Sequence, residues 1–230
     1  MKFALIAEGV SEINIIDHII YYYFKDNDPK VNPLQPPKTS NNKQDGSGGF
    51  QEVLKYCKET EKIKTAFIEN NYLIIQIDTD KAQEAPLSVS LLDSNSVKKT
   101  SEQLYIDVLE NLRRILKEEI INEYRERIIF AICIDTIECW LLPMYSRNNK
   151  KPHETNCLKK LNKELASKDI HVITGDKNSS NSQRTYGIIL SSLKKKNEIE
   201  KWSKYNIGFQ KFIESLPKIE TEEETINTPT

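Results

Sequence analysis

FALIAEGVSE at residues 3–12 is the segment most informative about the fold, and LIIQIDTD at residues 73–80 has the same arrangement of apolar and acidic residues. Each is an apolar run that ends abruptly in carboxylates. These acids are Glu8, Glu12, Asp78 and Asp80. Short apolar runs bounded by polar residues predict buried strands. In an open α/β sheet, ligands bind beyond the carboxyl ends of the strands, so two strands that end in acids predict a shared site there.

The remaining pattern predicts helices between these strands. Ile13, Ile16, Ile20 and Tyr23 recur at helical spacing and predict a helix over residues 11–24. Further elements are predicted as a helix from Phe50 to Cys57, a helix over 104–120 and a strand at RIIFAICI (127–134). A weak strand is possible around Val31, but the prolines at 29, 33, 36 and 37 disfavour it. The order β-α-(β)-α-β-α-β favours an α/β fold with a mostly parallel central sheet flanked by helices.

The composition of the chain changes after Pro143, where basic residues outnumber acidic ones. Between Leu141 and Lys204 there are fourteen Lys and Arg against six Asp and Glu, whereas the whole chain has a net charge of −1. The sequence therefore predicts an α/β domain over 1–145, a helical basic extension packed on it over 146–217, and a disordered acidic tail over 218–230. Within the extension, IHVI at 170–173 predicts a short strand. QPPKTSNNKQDGSGG at 35–49 predicts a loop, as does the stretch 81–100.

Composition narrows the class of protein. Charged residues make up 29% and hydrophobic residues 38%, which is typical of a globular chain, and no apolar run approaches 18 residues. The N-terminal apolar stretch is too short for a secretory signal, so the predicted location is the cytoplasm. The four cysteines form no CxxC pair, which argues against zinc, and Cys133 and Cys139 are predicted to be buried free thiols.

The acids suit a particular chemistry. Mg²⁺ and Mn²⁺ prefer hard oxygen ligands, and carboxylates on strand ends supply them. Asp78 and Asp80 lie on the same side of an extended chain, and Glu12, one helical turn after Glu8, can reach the same edge. The predicted metal ligands are Glu8, Glu12, Asp78 and Asp80. Metal ions at such a site can activate water for attack on a phosphodiester, while lysine or arginine neutralises the phosphate. The predicted nucleic-acid contacts are Lys177, Arg184, Lys194, Lys195 and Lys196.

The pattern resembles the Toprim domain, the catalytic module of topoisomerases and primases. The matching elements are AEGVSE after the first strand and the DxD of IIQIDTD. The resemblance implies metal binding or acid–base work on phosphodiesters for Glu8, Asp78 and Asp80. It covers roughly residues 1–145. The long Pro/Asn/Gly loop before the DxD strand departs from the usual short connection.

Two further elements are similar to one branch of that family. Glu12 matches the second acid of the EGxxE pattern of the overcoming-lysogenization-defect nucleases. FAICIDTIECWLLP at 130–143 resembles a strand of small stand-alone Toprim-like proteins, which implies a catalytic role for Glu138. Because relatives in this branch often work beside an ATPase, and this chain has no Walker lysine loop, the resemblance implies an ATPase partner. It also makes a role in phage defence an expectation.

The sequence thus predicts a Mg²⁺- or Mn²⁺-dependent nuclease that hydrolyses DNA or RNA, with Glu8, Asp78, Asp80 and Glu138 as catalytic residues. The alternative is a Toprim-fold module that binds nucleic acid or a partner without catalysis. Individual residues have structural alternatives as well. Glu8 and Glu12 can serve a helix N-terminus, Asp78 a turn, and Glu138 can be a buried carboxylate. The lysines at 194–196 can be a solvated helix end.

Overall fold

A parallel sheet organises the molecule in the computed structural model, which describes residues 1–37, 48–146 and 154–218. Four strands lie in the order β2-β1-β3-β4, and every neighbouring pair is parallel. The strands are β1 (Lys2–Ile6), β2 (Lys30–Gln35), β3 (Tyr72–Asp78) and β4 (Ile128–Cys133). The predicted α/β class with a parallel sheet is confirmed. The segment around Val31 does form a strand, β2, despite its proline, and it lies at the edge of the sheet, where a missing N–H donor is tolerated.

Helices cover both faces of this sheet. Those described are α1 (Val10–Tyr23), α2 (Phe50–Lys58), α3 (Thr60–Glu69), α4 (Ser101–Leu116), α5 (Glu118–Tyr124), α6 (Glu138–Leu141), α7 (Cys157–Ala166), α8 (Ser180–Leu190), α9 (Lys196–Ser203) and α10 (Ile207–Glu214). On one face, α1 packs with α7 to α10. On the other, α2 to α5 pack against the alternate side chains of the strands. The alternation of side chains along each strand assigns them to the two hydrophobic clusters.

Helix α10 packs against β4, the strand at one edge of the sheet. Phe209 and Phe212 of α10 stack on the buried ring of Trp140 at 4.8 and 5.4 Å. Gly208 lies against β4 so closely that a Cβ would stand 2.1 Å from the carbonyl oxygen of Ile132. Helix α10 therefore packs directly on the sheet. By covering β4, α10 shields an edge that would otherwise be open to pairing.

Several local predictions differ from the structure. The single helix predicted over 104–120 is two helices, because Lys117 has φ of 69° and ends α4. IHVI at 170–173 is not a strand; instead, the backbone of Ile173 is hydrogen-bonded at both its N–H and its carbonyl by the Asn162 side chain. Helix α3 was not predicted from the sequence, since Lys and Glu interrupt its apolar positions.

A disulfide joins Cys139 of α6 to Cys157 at the start of α7. The prediction of a free thiol at Cys139 is therefore wrong, whereas Cys133 is free and buried as predicted. No local pattern indicates this pairing, because the packing of α7 on α6 brings the two sulfurs together.

Some expectations fall outside the described residues. Most of the predicted loop at 35–49 and nearly all of the acidic tail lie in the segments 38–47 and 219–230. The stretch 81–100, predicted as loop, contains turns and one isolated bridge between Leu92 and Lys98. No helix in the described ranges is both long enough and apolar enough to cross a bilayer.

Candidate acidic site

The ends of β1 and β3 are joined by the side chains of their own acids. The backbone N–H of Asp78 donates to Glu8 Oε1 at 2.7 Å. The backbone N–H of Glu8 in turn donates to Gln76 Oε1 at 3.0 Å, and Gln76 Nε2 donates to Asp78 Oδ1 at 2.9 Å. Gln76 is completely buried. Because β1 and β3 are adjacent and parallel, the two acidic motifs lie together at the carboxyl ends of these strands, as the sequence predicts.

The ends of β3 and β4 are joined through the backbone of Asp135. Its carbonyl accepts hydrogen bonds from the N–H groups of Thr79 and Asp80, both at 3.1 Å. Its own N–H donates to Thr79 Oγ1 at 2.8 Å. Asp135 has φ of 66°, a conformation that aspartate tolerates better than most residues. This connection fixes where Asp80, which is exposed, leaves the sheet.

Glu12 reaches the same edge from the first turn of α1. Its Oε2 accepts a hydrogen bond from Ser11 Oγ at 2.9 Å, and the residue is only 4% exposed. A Cβ on Gly9 would lie 2.5 Å from Glu12 Oε2, so the glycine of the EGxxE motif leaves the space into which this carboxylate folds. The spacing of the motif therefore has a steric reason.

Lys177 lies among these acids rather than on the basic surface where the sequence placed it. Its Nζ is 2.7 Å from Glu138 Oε1 and 3.4 Å from Glu12 Oε1. Glu138 is fully buried, and Tyr186 and Thr136 also donate to it, each at 2.6 Å. Both oxygens of Glu138 are therefore engaged. That arrangement favours the structural alternative for Glu138, a buried carboxylate that holds Lys177 in place.

Burial and neighbouring charges shift the pKa values of the carboxyl groups in this site. Burial, and then the neighbours Glu12 and Asp80, raise the pKa of Glu8 to about 7. Burial and the charges of Glu8, Glu12 and Glu138 raise the pKa of Asp78 well above its ordinary value, although Lys177 opposes this. Glu138 is different. Burial raises its pKa, but Lys177 and the hydrogen bonds outweigh burial, so the pKa is lowered.

The acids thus divide into two groups. Glu12 and Glu138 face Lys177, whereas Glu8 and Asp78 each keep one carboxylate oxygen that accepts no hydrogen bond from the described residues. Those free oxygens, with the exposed Asp80, are hard donors in a region of excess negative charge. A divalent cation would relieve that repulsion, so this donor set fits Mg²⁺ or Mn²⁺.

The carboxylates do not form a closed cage. Within the described ranges, the three possible ligand atoms that lie within 4.8 Å of one another belong to Asp135, Cys139 and Cys157. The two sulfurs of that group are bonded to each other and are not thiolates in this form. Among the predicted ligands Glu8, Glu12, Asp78 and Asp80, no three ligand atoms all lie within that distance of one another in the described residues.

The other predicted basic residues form no ion pair with these acids in the described ranges. Lys196 stacks over Tyr23 at 4.8 Å, at the end of α1 opposite Glu12, which is roughly 16 Å along the helix axis. Lys194 and Lys195 precede it and are exposed, and Arg184 is exposed on α8. Ion pairing therefore distinguishes Lys177 from the other four predicted nucleic-acid contacts.

The sequence reasoning missed three residues of the site, which are Gln76, Thr136 and Tyr186. Gln76 had a detectable signal, since an amide in the middle of an apolar strand must find partners when buried. Tyr186 occupies a regular apolar position of its helix, so nothing in the pattern distinguishes it from a core residue.

Comparisons with protein-family models, with curated proteins and with solved structures found no match to this chain. The Toprim resemblance therefore rests on the motifs and on their meeting at one sheet edge.

Proposed function

We propose that the chain is a metal-dependent nuclease of the Toprim type, which hydrolyses phosphodiester bonds of DNA or RNA. The observation that carries this proposal is the contact between Glu8 and Asp78, which brings the EGxxE and DxD motifs together. Each motif alone is common, but their convergence in a largely buried cluster of carboxylates with raised pKa values is an arrangement typical of functional sites, and we take it as a divalent-metal site.

Each residue has a role in this proposal. Glu8, Asp78 and Asp80 would hold Mg²⁺ or Mn²⁺, with Glu12 beside them. The metal, when bound, would supply an activated water and stabilise the leaving oxygen. Glu8 keeps one carboxylate oxygen that accepts no hydrogen bond from the described residues, and this oxygen would be the one that holds the metal.

Lys177 supplies the positive charge. Its ammonium group is held against Glu138 and Glu12, where it can also face a phosphate oxygen that gains charge during hydrolysis. Glu138 and Tyr186 position the lysine, and we therefore assign Glu138 a positioning role in place of the catalytic role predicted from the sequence. An ATPase partner and a function in phage defence extend the proposal, and they rest on the motif resemblance alone.

The experiment compares wild type with Glu8→Gln and Asp78→Asn on plasmid DNA and on structured RNA, with Mg²⁺, with Mn²⁺ and with EDTA. Glu61→Gln is the matched control, because Glu61 is an exposed glutamate on α3, remote from the acids. We expect cleavage that needs metal, that falls at least 100-fold in both site variants and that the control retains.

The result also separates the two functions. Nucleic acid that is bound but never cleaved, with either metal and with wild type, would reject the nuclease in favour of the non-catalytic binding module. Cleavage that survives in Asp78→Asn would place the chemistry elsewhere in the chain.

A further inference from the structure

Two clefts meet at the exposed side of the acidic site. The first, the lysine cleft, has a volume of about 540 Å³ and is lined by Lys98, Lys99, Thr100 and Lys160. The second, the amide cleft, has a volume of about 600 Å³ and is lined by Asn156, Lys159, Asn162 and Thr174. Asp80 and Asp135 are the two residues that line both clefts.

The first turn of α7 separates the clefts. Lys159 faces the amide cleft, and its neighbour Lys160 faces the lysine cleft. Each cleft therefore offers an exposed ammonium group on one side and Asp80 at its inner end. A strand that passed through both clefts would lie across Asp80 at its midpoint.

We propose that these two clefts form the path of a single-stranded nucleic acid, with the scissile phosphate at Asp80. This proposal rests on the proposed function and defines its substrate. The clefts are concave, and apolar side chains of Leu91, Leu104 and Ile134 lie beside the lysines. An unpaired strand can turn its bases toward such a surface, whereas a duplex keeps its bases stacked inside.

Charge complementarity in the clefts depends on the metal. Lys98 and Lys160 face the acids Asp80, Asp135 and Glu154 in the lysine cleft. Lys99 is paired with Asp107. A divalent ion at Asp80 would shift this balance toward positive charge, so the path should attract a polyanion only when the metal is bound.

The test measures binding of a fluorescein-labelled 12-nucleotide single strand by anisotropy, with Mg²⁺ and with EDTA. All proteins keep Asp78, which is a proposed metal ligand, and the probe carries phosphorothioate linkages that slow its loss by cleavage. The cleft variant is Lys98→Glu/Lys160→Glu, and the competing surface is represented by Lys194→Glu/Lys195→Glu. Both variants reverse two exposed lysines, and thermal unfolding confirms that each is folded.

We expect the cleft variant to bind at least tenfold more weakly in Mg²⁺ and the competing variant to bind as the parent protein does. The slope of log affinity against log salt should decrease by about 1 to 2 in the cleft variant. Equal binding by the cleft variant and the parent, or an equal loss in both variants, would overturn the path. So would tighter binding of a duplex of the same length.

Failure of the path and failure of the nuclease give different results in these experiments. If the cleft variant loses binding but wild type cleaves nothing, the path stands and the nuclease fails. If wild type cleaves and the Lys98→Glu/Lys160→Glu variant of the wild-type sequence cleaves and binds equally well, the path fails and the nuclease stands.

Discussion

Lys177 Nζ lies 2.7 Å from Oε1 of the fully buried Glu138. This ion pair joins the segment before α8 to the start of α6. It also places a cation in a site that otherwise consists mainly of acids. Removing one partner of a buried pair leaves the other charge uncompensated, which is more costly than removing both.

The first prediction therefore concerns this pair. We expect Lys177→Met to lower the free energy of unfolding by about 3 kcal/mol, because Glu138 would remain buried without its cation. The double variant Lys177→Met/Glu138→Gln should recover part of that loss, since the amide carries no charge. Urea unfolding at pH 7.5 measures both. A double variant less stable than the single one would show that the pair is not coupled in this way.

The second prediction concerns pH. Because burial and neighbouring acids raise the pKa of Glu8 from 4.5 to about 7, the folded protein holds a proton there that the unfolded chain releases. The stability contributed by Glu8 is full below pH 4.5 and is lost as pH rises through 7. In EDTA, wild type should lose about 2 kcal/mol more than Glu8→Gln between pH 5 and pH 8. Urea unfolding of both proteins across that range gives the difference, and parallel curves would contradict the prediction.

The third prediction separates stability from metal binding. Asp78→Asn keeps an oxygen that can accept from Gln76 but removes a buried charge beside Glu8. Without metal, we expect its melting temperature to rise by about 3 °C, which corresponds to roughly 1 kcal/mol. With excess Mn²⁺, wild type should gain thermal stability and the variant should not. A variant that melts below wild type in EDTA would argue against repulsion at this position.

The fourth prediction tests the close contact of α10 with the edge strand β4. A Cβ at Gly208 would overlap the carbonyl oxygen of Ile132, and backbone atoms cannot move aside easily. Gly208→Ala should therefore destabilise the protein by at least about 2 kcal/mol. Gly187→Ala is the matched control, because Gly187 lies in α8 with nothing within 4 Å. The control should be neutral or stabilising by up to about 1 kcal/mol, since alanine favours helix over glycine.

The fifth prediction counts thiols. In guanidinium without reductant, Ellman's reagent should detect Cys57 and Cys133 only, because Cys139 and Cys157 are bonded to each other. Reduction before the assay should raise the count to four. Disulfides are uncommon in reducing compartments, so the same count on freshly lysed cells, quenched with an alkylating agent, bears on the predicted cytoplasmic location. Four reactive thiols without reductant would show that the pair is not bonded.

Much of the fold followed from local pattern. The apolar runs that became β1, β3 and β4 are recognisable because buried parallel strands need continuous apolar side chains. The edge position of β2 was decided by the sheet itself, since its proline, which cannot donate a ladder hydrogen bond, only disfavours a strand at the level of the sequence. The break at Lys117 did not follow, since the apolar periodicity continues through it and one left-handed residue divides the helix.

The sequence alone predicts which strands end in acids, because the apolar run and the carboxylates that follow it are local properties of the chain. The residues that surround those acids are known only from the tertiary structure. Packing of α7 and α8 on α1 and α6 brings Lys177 and Tyr186 to Glu138, and it pairs Cys139 with Cys157. Such contacts join residues far apart in the chain, and no periodicity within a segment specifies which distant side chain will fill a buried position.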